Sequence, residues 1–292
     1  MPQLEPNSSH APPAELPLTK HGKLCPSCHT LYTSDDEEGT GSFCGKDGAF
    51  LVASDRVFAG KYLLGERLGF GQMSEVWSAL QSGVGRQVAL KILRRSLADN
   101  PEMVKRFTRE AQIASSIDHP SAVTIFENGK SEQGQAYIAM EHLVGESLER
   151  LLEREAPMPL ARALELLFPV LRALSAAHDS GIVHRDLKPD NIFIARKGGI
   201  KGDQEVVKVL DFGIARQIAE RGSTGEQNRL TATGAVLGTP LYMSPEQLQG
   251  ADATAAADVF ALGIMLCESH AAVRAAARYI PCAAKTDAES RT

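Results

Sequence analysis

The pattern of apolar residues changes along the chain, and this change constrains the fold more than any other feature. Residues 88–93 (Val-Ala-Leu-Lys-Ile-Leu) are typical of a buried strand, and further strands are expected at 122–126 and 136–140. Apolar residues recur at three-to-four spacing over 101–117 and 159–178, which predicts two amphipathic helices. A strand-rich first half followed by a helix-rich second half predicts an α+β fold with two lobes.

Composition argues against several classes of function. The 292 residues carry 31 Lys and Arg against 36 Asp and Glu, a formal net charge of −5, so nucleic acid is not an expected partner. The late apolar stretch 255–266 contains Asp258 and is shorter than the roughly 20 residues of a membrane span, so no membrane contact is expected for this chain. Five cysteines, three of them between positions 25 and 44, fit a reducing compartment and therefore a cytoplasmic location.

Two segments of the strand-rich half are candidates for binding phosphate. Glycines at 69 and 71 allow a backbone turn to approach phosphate oxygens, although such pairs are also common in hairpins. Lys91 lies in the middle of the predicted strand at 88–93, where a buried ammonium group needs an anion. Glu110 on the following helix is the expected partner, and a lysine that reaches solvent is the alternative.

Two segments of the helix-rich half carry carboxylates and an amide. The first comes after the helix stop at Gly181, which places it in a loop, and reads His184-Arg185-Asp186-Leu187-Lys188-Pro189-Asp190-Asn191. It offers a base, a cation for phosphate charge and a metal ligand. The second follows an apolar strand at 206–210 and reads Asp211-Phe212-Gly213. A carboxylate at the end of a strand suits Mg²⁺, which prefers one or two carboxylates together with substrate phosphates.

A fifth segment completes the pattern and is followed by Asp-Val-Phe-Ala-Leu-Gly at 258–263. It reads Gly238-Thr239-Pro240-Leu241-Tyr242-Met243-Ser244-Pro245-Glu246. In this order the five segments resemble the signature of the protein kinase family over about residues 61–267. The amino-acid sequences at 211–216 and 238–247 are similar to those of the bacterial, eukaryotic-like (Hanks-type) serine/threonine branch. By the same resemblance, Lys188 favours Ser or Thr over Tyr as the acceptor.

The resemblance implies a protein-kinase-like two-lobe fold that uses ATP with Mg²⁺ or Mn²⁺ and acts on protein substrates. Asp186 would accept the proton of the acceptor hydroxyl, and Lys188 would steady the transferred phosphoryl group. Lys91, aimed by Glu110, would hold the α- and β-phosphates. The metal ligands would be Asn191 and Asp211.

The same resemblance implies a nucleotide site drawn from both lobes. Gly69 and Gly71 would cover the phosphates, Met140 would be the gatekeeper, and Glu141 to Leu143 would offer hinge backbone groups to the adenine. The residues implied for ATP are Leu68, Gly69, Phe70, Gly71, Gln72, Met73, Ser74, Val76, Ala89, Lys91, Met140, Glu141, Leu143 and Phe193. Ser74 replaces the third glycine of the family's phosphate loop, and a small residue there is compatible with activity.

Activation-loop phosphorylation is also implied by the resemblance. Thr231 and Thr233 lie where the bacterial branch places its autophosphorylation sites, and a homodimer would allow phosphorylation in trans. The alternative is a polar loop with incidental threonines.

A second feature of the sequence is a small cysteine-bearing segment at 21–53, which resembles the zinc-ribbon modules that precede some bacterial kinase domains. Cys25 and Cys28 are followed after 15 residues by Cys44, with Asp47 where a fourth cysteine would usually stand. Tetrahedral Zn²⁺ is the expected ion, and His29 and His21 are rival fourth ligands. Three free thiols in a flexible leader are the alternative.

These features predict an order of domains. The proline-rich leader at 1–20 is expected to be disordered, the zinc-ribbon-like module spans 21–53, and the kinase domain spans 61–268, with lobes at 61–143 and 144–268. The tail at 269–292 does not resemble the helices that complete the second lobe in this family, so an incomplete lobe and an aberrant or disordered tail are expected. A catalytically silent nucleotide-binding or interaction protein is therefore the alternative function. The helix around 259–266 is expected to lack cover on one side.

Overall fold

The computed structural model describes residues 20–33, 42–49, 51–197, 204–212 and 240–271. The expectations for the leader, for most of the tail and for Thr231 and Thr233 lie outside these residues. The chain divides into two units, the first formed by Met1–Val104 with Gly129–Tyr137 and the second by Lys105–Asn128 with Ile138–Thr292.

The first unit is built around a sheet. Its strands are β1 (Lys20–Leu24), β2 (Leu31–Thr33), β3 (Val52–Phe58), β4 (Tyr62–Phe70), β5 (Ser74–Gln81) and β6 (Arg86–Leu93). They pair in the antiparallel order β2-β1-β3-β4-β5-β6. Two more strands, β8 (Ala136–Glu141) and then β7 (Ile125–Lys130), follow β6 in the sheet order.

Strand β3 joins the cysteine-bearing segment to the rest of the sheet. On one side β3 pairs with β1, with Leu24 opposite Val52. On the other side it pairs with β4, with Phe58 opposite Tyr62. The strand crosses residue 53, so the predicted module and the strand that leads to the glycine-rich turn share one sheet.

The second unit holds most of the helices. The α-helices among the described residues are α1 (Arg95–Ala98), α2 (Pro101–Ser115), α3 (Leu148–Glu155), α4 (Leu160–Asp179), α5 (Pro245–Leu248) and α6 (Ala255–Ala271). A small sheet of the second unit has the order β11 (Gln204–Val209), β10 (Ile192–Lys197), β9 (Gly145–Ser147). Helices α2 and α4 lie within two residues of the ranges that apolar spacing predicts, and β6 and β8 confirm the strands predicted at 88–93 and 136–140.

One predicted strand is placed wrongly. The sequence predicts a strand at 122–126, but β7 begins at Ile125, and Ala122 forms only an isolated parallel bridge with Val209. The backbone N–H of Val123 donates to the carbonyl of Val209 at 3.2 Å, so this segment lies against β11 instead of continuing β7.

Helices α4 and α6 form the centre of the apolar core of the second unit. Leu166, Val170 and Leu174 repeat at helical spacing on α4 and are at most 2% exposed, as is Met265 on α6. Val259 on α6 is 53% exposed. The expectation that one side of this helix lacks cover because the lobe is incomplete stays a prediction. Across the described part of the chain, no helix is both long enough and apolar enough to cross a membrane.

Candidate active site

The glycine-rich segment forms the turn between β4 and β5. The backbone N–H of Gly71 donates to the carbonyl of Ser74 at 2.8 Å, and a Cβ added at Gly71 would lie 3.3 Å from that oxygen. The register places Gly69 opposite Val76. Phe70 lies beneath the guanidinium of Arg94, 5.0 Å from the ring centroid. The small residues therefore keep backbone accessible at the tip of the turn, as phosphate binding requires.

Lys91 lies on β6 directly opposite Val76 of β5. It is 8% exposed, which disagrees with the alternative of a solvent-reaching lysine, and Ala89 on the same strand is 5% exposed. Apolar neighbours on the strand are also buried, so the ammonium group sits where a negative partner is needed. Glu110 lies half-buried on α2 in the second unit, and its pairing with Lys91 stays a prediction.

Asp258 fixes the loop that carries the predicted base. Its Oδ2 accepts from the backbone N–H of His184 at 2.8 Å, and its Oδ1 accepts from that of Arg185 at 2.9 Å. The Nε2 of His178 lies 2.8 Å from the same Oδ2. Asp258 is 1% exposed, and Arg185 has a φ of +67°, a left-handed conformation that is costly for a residue with a side chain. Asp258 thus holds a strained backbone immediately before Asp186.

The catalytic candidates of this loop lie together. The Nζ of Lys188 lies 3.4 Å from Oδ2 of Asp186. The Nδ2 of Asn191 donates to the carbonyl of Asp186 at 2.7 Å, so Oδ1 is the side-chain atom of Asn191 that remains for a cation. A 3₁₀ turn at Pro189–Asn191 brings the amide back toward the aspartate.

Asp211 is tied to the same loop through the backbone. The N–H of Leu210 donates to the carbonyl of Asn191 at 2.8 Å, and Nε2 of His184 lies 3.0 Å from the carbonyl of Leu210. Asp211 has a φ of +43°. Phe212 is 1% exposed and its ring centroid lies 5.0 Å from that of His184. Hydrogen bonds to backbone carbonyls therefore link Asp186, Asn191 and the residue before Asp211. These three residues carry side-chain oxygens, the ligand type that Mg²⁺ prefers, and their joint binding of a metal stays a prediction.

The predicted hinge contains an ion pair that sequence reasoning missed. The Nζ of Lys208 on β11 donates to Oε1 of Glu141 and to the carbonyl of Ala122, the latter at 3.2 Å. The same Oε1 accepts from the N–H of Thr124 at 2.9 Å, and Lys208 is only 4% exposed. A lone lysine in the apolar strand at 206–210 is the same signal that singled out Lys91. Met140 directly precedes Glu141, and Leu143 follows it by two residues.

Phe193, a predicted nucleotide contact, and Gln247, which the sequence did not single out, both have defined partners. Phe193 on β10 pairs with Ser147 on one side and with Lys208 on the other. Gln247 was not assigned a role from the sequence, yet its Nε2 donates to the carbonyl of Arg185 at 2.8 Å. Its Oε1 accepts from the N–H of Ser244, so it links the end of the 238–247 segment to the catalytic loop.

The cysteine-bearing segment gathers four possible metal ligands. The thiol sulfurs of Cys25, Cys28 and Cys44 and a carboxylate oxygen of Asp47 all lie within 4.8 Å of one another. The Sγ atoms of Cys28 and Cys44 are 3.5 Å apart, and Sγ of Cys25 lies 3.3 Å from Oδ2 of Asp47. These separations suit a tetrahedron with metal–sulfur distances of about 2.3 Å. His29 is not in the cluster, because its ring lies against Gly85 in the turn between β5 and β6.

The electrostatics of this cluster are uneven. Burial raises the pKa of the Cys25 thiol to about 11. Burial also opposes ionisation of Cys44, but hydrogen bonds from Tyr32 and from the backbone N–H groups of Lys46 and Asp47 outweigh it and lower its pKa. The N–H of Ala49 and the neighbouring Cys44 thiol hold the pKa of Asp47 well below its usual range. A thiol inclined to ionise and a permanent carboxylate are suitable anionic ligands for a divalent cation.

Comparison with known proteins decides the family. A family model for the protein kinase domain matches residues 62–277. This chain belongs to the protein kinase family. The kinase is 40% identical over 211 residues to serine/threonine-protein kinase pkn3 of Myxococcus xanthus, covering 72% of this chain and 38% of that protein. It is 43% identical over 211 residues to serine/threonine-protein kinase PknB of Mycobacterium tuberculosis, covering 71% of this chain and 32% of that protein.

The solved structures agree with this assignment. The crystal structure of the Mycobacterium tuberculosis PknI kinase domain is 26% identical, with a TM-score of 0.56, and the match covers 76% of this kinase and 78% of that chain. The predictions of a protein-kinase-like α+β fold and of a bacterial serine/threonine branch are therefore confirmed. Protein kinases use ATP with Mg²⁺ or Mn²⁺. The kinase described here spans about a third of the length of the curated relatives it matches.

Proposed function

We propose that this protein transfers the γ-phosphoryl group of Mg-ATP to serine and threonine hydroxyls of protein substrates. The observation that carries the proposal is the pair of hydrogen bonds around Asn191: its amide donates to the carbonyl of Asp186, and its own carbonyl accepts from the N–H of Leu210, the residue before Asp211. The family supports it, because its named relatives are serine/threonine protein kinases.

Each group of this assembly has a proposed task. Asp186 accepts the proton of the attacking hydroxyl, and Lys188, 3.4 Å from it, stabilises charge on the transferred phosphoryl group. Asn191 and Asp211 hold Mg²⁺, which supplies charge neutralisation when bound. Lys91, aimed by Glu110, holds the phosphates, and the remaining nucleotide contacts are those implied by the family resemblance.

A small surface cavity supports a polypeptide as the acceptor. Its lining includes Asp186, Lys188, Met243 and Gln247, so the proposed base and the end of the 238–247 segment open onto the same space. A hydroxyl held there would lie next to the group proposed to take its proton. The ATP chemistry and the unpaired thiols of the described residues both favour the cytoplasm as the place of action.

A transfer assay tests this function. The full chain is incubated with γ-labelled ATP, Mg²⁺ and a generic protein substrate, and label is expected on phosphoserine and phosphothreonine. Absence of label despite ATP binding would favour the catalytically silent alternative.

Phosphopeptide mapping of the kinase from the same reaction tests Thr231 and Thr233 as autophosphorylation sites. Dilution of the kinase tests phosphorylation in trans by a homodimer.

We also propose that Cys25, Cys28, Cys44 and Asp47 bind one Zn²⁺. The proposal rests on the convergence of their four ligand atoms within 4.8 Å. A bound metal would stabilise this region strongly, because its apolar cluster is small, with Tyr32 and Leu51 packed around the buried cysteines.

Replacing Cys44 by serine is expected to remove the metal. Elemental analysis of freshly purified protein should find about one zinc per wild-type chain and much less in the variant, because a serine hydroxyl is a poor zinc ligand at neutral pH. Cys267→Ser is the matched control, since Cys267 is exposed and outside the cluster, and it should retain the wild-type content. Equal zinc in all three proteins, or none in the wild type, would contradict the assignment.

A further inference from the structure

We infer that zinc bound to the cysteine-bearing segment at 21–53 strengthens the binding of ATP. The segment belongs to the same sheet as the glycine-rich turn and Lys91, and we infer that it helps to position both. The inference rests on the proposed function and on the proposed zinc site. It goes beyond both, because it makes a metal site outside the reaction centre a positioning element for the glycine-rich turn and for Lys91.

The first observation is the continuity of the sheet. Strand β1 lies directly before Cys25, and β1 pairs with β3, which in turn pairs with β4. Strand β4 runs directly into the glycine-rich turn, from Tyr62 to Phe70. Within the described residues, paired strands connect Cys25 to the strand that presents the phosphate-binding backbone.

The junction between β3 and β4 is tightly packed. Phe58 and Tyr62 are fully buried, and each ring meets that of Tyr137 edge-on with centroids 5.6 Å apart. Arg56 of β3 lies over the ring of Trp77 of β5, with its guanidinium carbon 5.6 Å from the centroid. A packed aromatic junction transmits a shift of β3 to its neighbours instead of absorbing it.

The second observation is an independent contact with the far end of the β5–β6 hairpin. The carbonyl of His29, the residue after Cys28, accepts from the N–H of Gly83 at 2.7 Å. The His29 ring fills the space beside Gly85, where an added Cβ would lie 2.5 Å from its Cδ2. The Nδ1 of this ring is buried and has no hydrogen-bond partner among the described residues, so close packing positions the ring at this contact.

The strand pairing through β3 and β4 and the contact of His29 with the 82–85 turn both lead to the β5–β6 hairpin, whose two strands are expected to contact ATP. Strand β5 begins at the glycine-rich turn, and β6 carries Lys91. The backbone of residues 25–30 is itself shaped around the ligands, since the N–H of Cys28 points to Sγ of Cys25 at 3.4 Å. Loss of the metal would make this loop more mobile. It would therefore weaken the contact of His29 with Gly83 and Gly85 in the turn of the hairpin.

Two glycines of the same turn provide a matched test. Gly85 and Gly83 have φ values of +67° and +75°, so alanine strains the backbone to a similar degree at either position. At Gly83 an added Cβ meets nothing within 4 Å, whereas at Gly85 it collides with His29. Both variants keep the backbone N–H groups and all four proposed zinc ligands.

The experiment uses the full chain as zinc-loaded wild type, chelator-treated wild type, Gly85→Ala and Gly83→Ala. Zinc content, the Kd of Mg-ATP and hydrogen exchange across Tyr62–Phe70 are measured for each. Chelation is expected to raise the Kd at least about fivefold and to speed exchange in this strand. Gly85→Ala should also raise the Kd of Mg-ATP and speed exchange in this strand while it retains zinc. Gly83→Ala should have the same Kd and exchange rates as zinc-loaded wild type. In transfer assays KM for ATP should rise more than kcat falls.

The outcomes separate the inference from the proposals beneath it. Stoichiometric zinc whose removal changes neither the Kd nor the exchange would overturn the inference and leave the zinc site standing. Equal behaviour of Gly85→Ala and Gly83→Ala would also overturn it, because the His29 contact would then have no effect on the sheet. A metal-dependent Kd in a protein that transfers no phosphate would support the inference and refute the kinase activity alone.

Discussion

Replacing Asp186 by asparagine is expected to reduce the rate of phosphoryl transfer at least about 100-fold, because the amide cannot accept the proton of the acceptor hydroxyl. The two side chains have nearly the same shape, and the Asn191 amide donates to the backbone carbonyl of residue 186, so the loop should keep its conformation. The affinity for Mg-ATP should therefore change little. The measurement is kcat and KM in the transfer assay, together with the Kd of Mg-ATP by calorimetry.

Asp190→Asn is the matched control for this prediction. Asp190 lies in the same loop, is exposed, and has no catalytic role in the proposal. Its variant should keep nearly the wild-type rate. Equal labelling by wild type and Asp186→Asn would refute Asp186 as the base, and equal loss in both variants would show that the loop tolerates no change of charge.

Among the substitutions proposed for this protein, Asp258→Asn is expected to lower the free energy of unfolding most. The carboxylate accepts two backbone N–H groups and faces His178, whereas an amide offers one oxygen and turns an NH₂ group toward a donor. Stranding a buried donor and removing the charge should lower the free energy of unfolding by about 3 kcal/mol. For a domain of this size that corresponds to a fall in Tm of about 6–12 °C.

The exposed Asp252 serves as the control, since Asp252→Asn changes the same charge a few residues away on the surface. Thermal unfolding should then differ between the two variants. The Asp258 variant should also lose activity below its Tm, because Arg185 would no longer be held in its left-handed conformation next to Asp186. Matching Tm values for both variants would mean that Asp258 does not anchor the loop.

The sequence was sufficient to predict most of the elements that position this site. Periodicity placed α2 and α4 within two residues. These are local patterns, which a single sequence displays directly. The sequence left Lys91 either buried or reaching solvent, and the structure shows that it is buried. The strand predicted at 122–126 failed because Ala122 and Val123 pair with β11, a contact between residues that are far apart in the chain.

Tertiary partners were harder to foresee. The ion pair of Lys208 with Glu141 and the role of Asp258 in binding the backbone at 184 and 185 depend on long-range approach, which spacing does not encode. The sequence suggested the four zinc ligands, yet it treated the segment at 21–53 as a separate module. Only the strand register shows that β3 continues this segment into the sheet of the glycine-rich turn.

Asn191 and Asp211 are proposed to hold the Mg²⁺ of a metal-bound nucleotide. Calorimetric titration of ATP into wild type and Asp211→Asn, each with and without Mg²⁺, tests this most directly. Magnesium should lower the Kd of ATP for the wild type. In the variant this Mg²⁺-dependent lowering of the Kd should be smaller by about tenfold or more, while metal-free ATP should still bind. The same dependence on Mg²⁺ in both proteins would contradict the account.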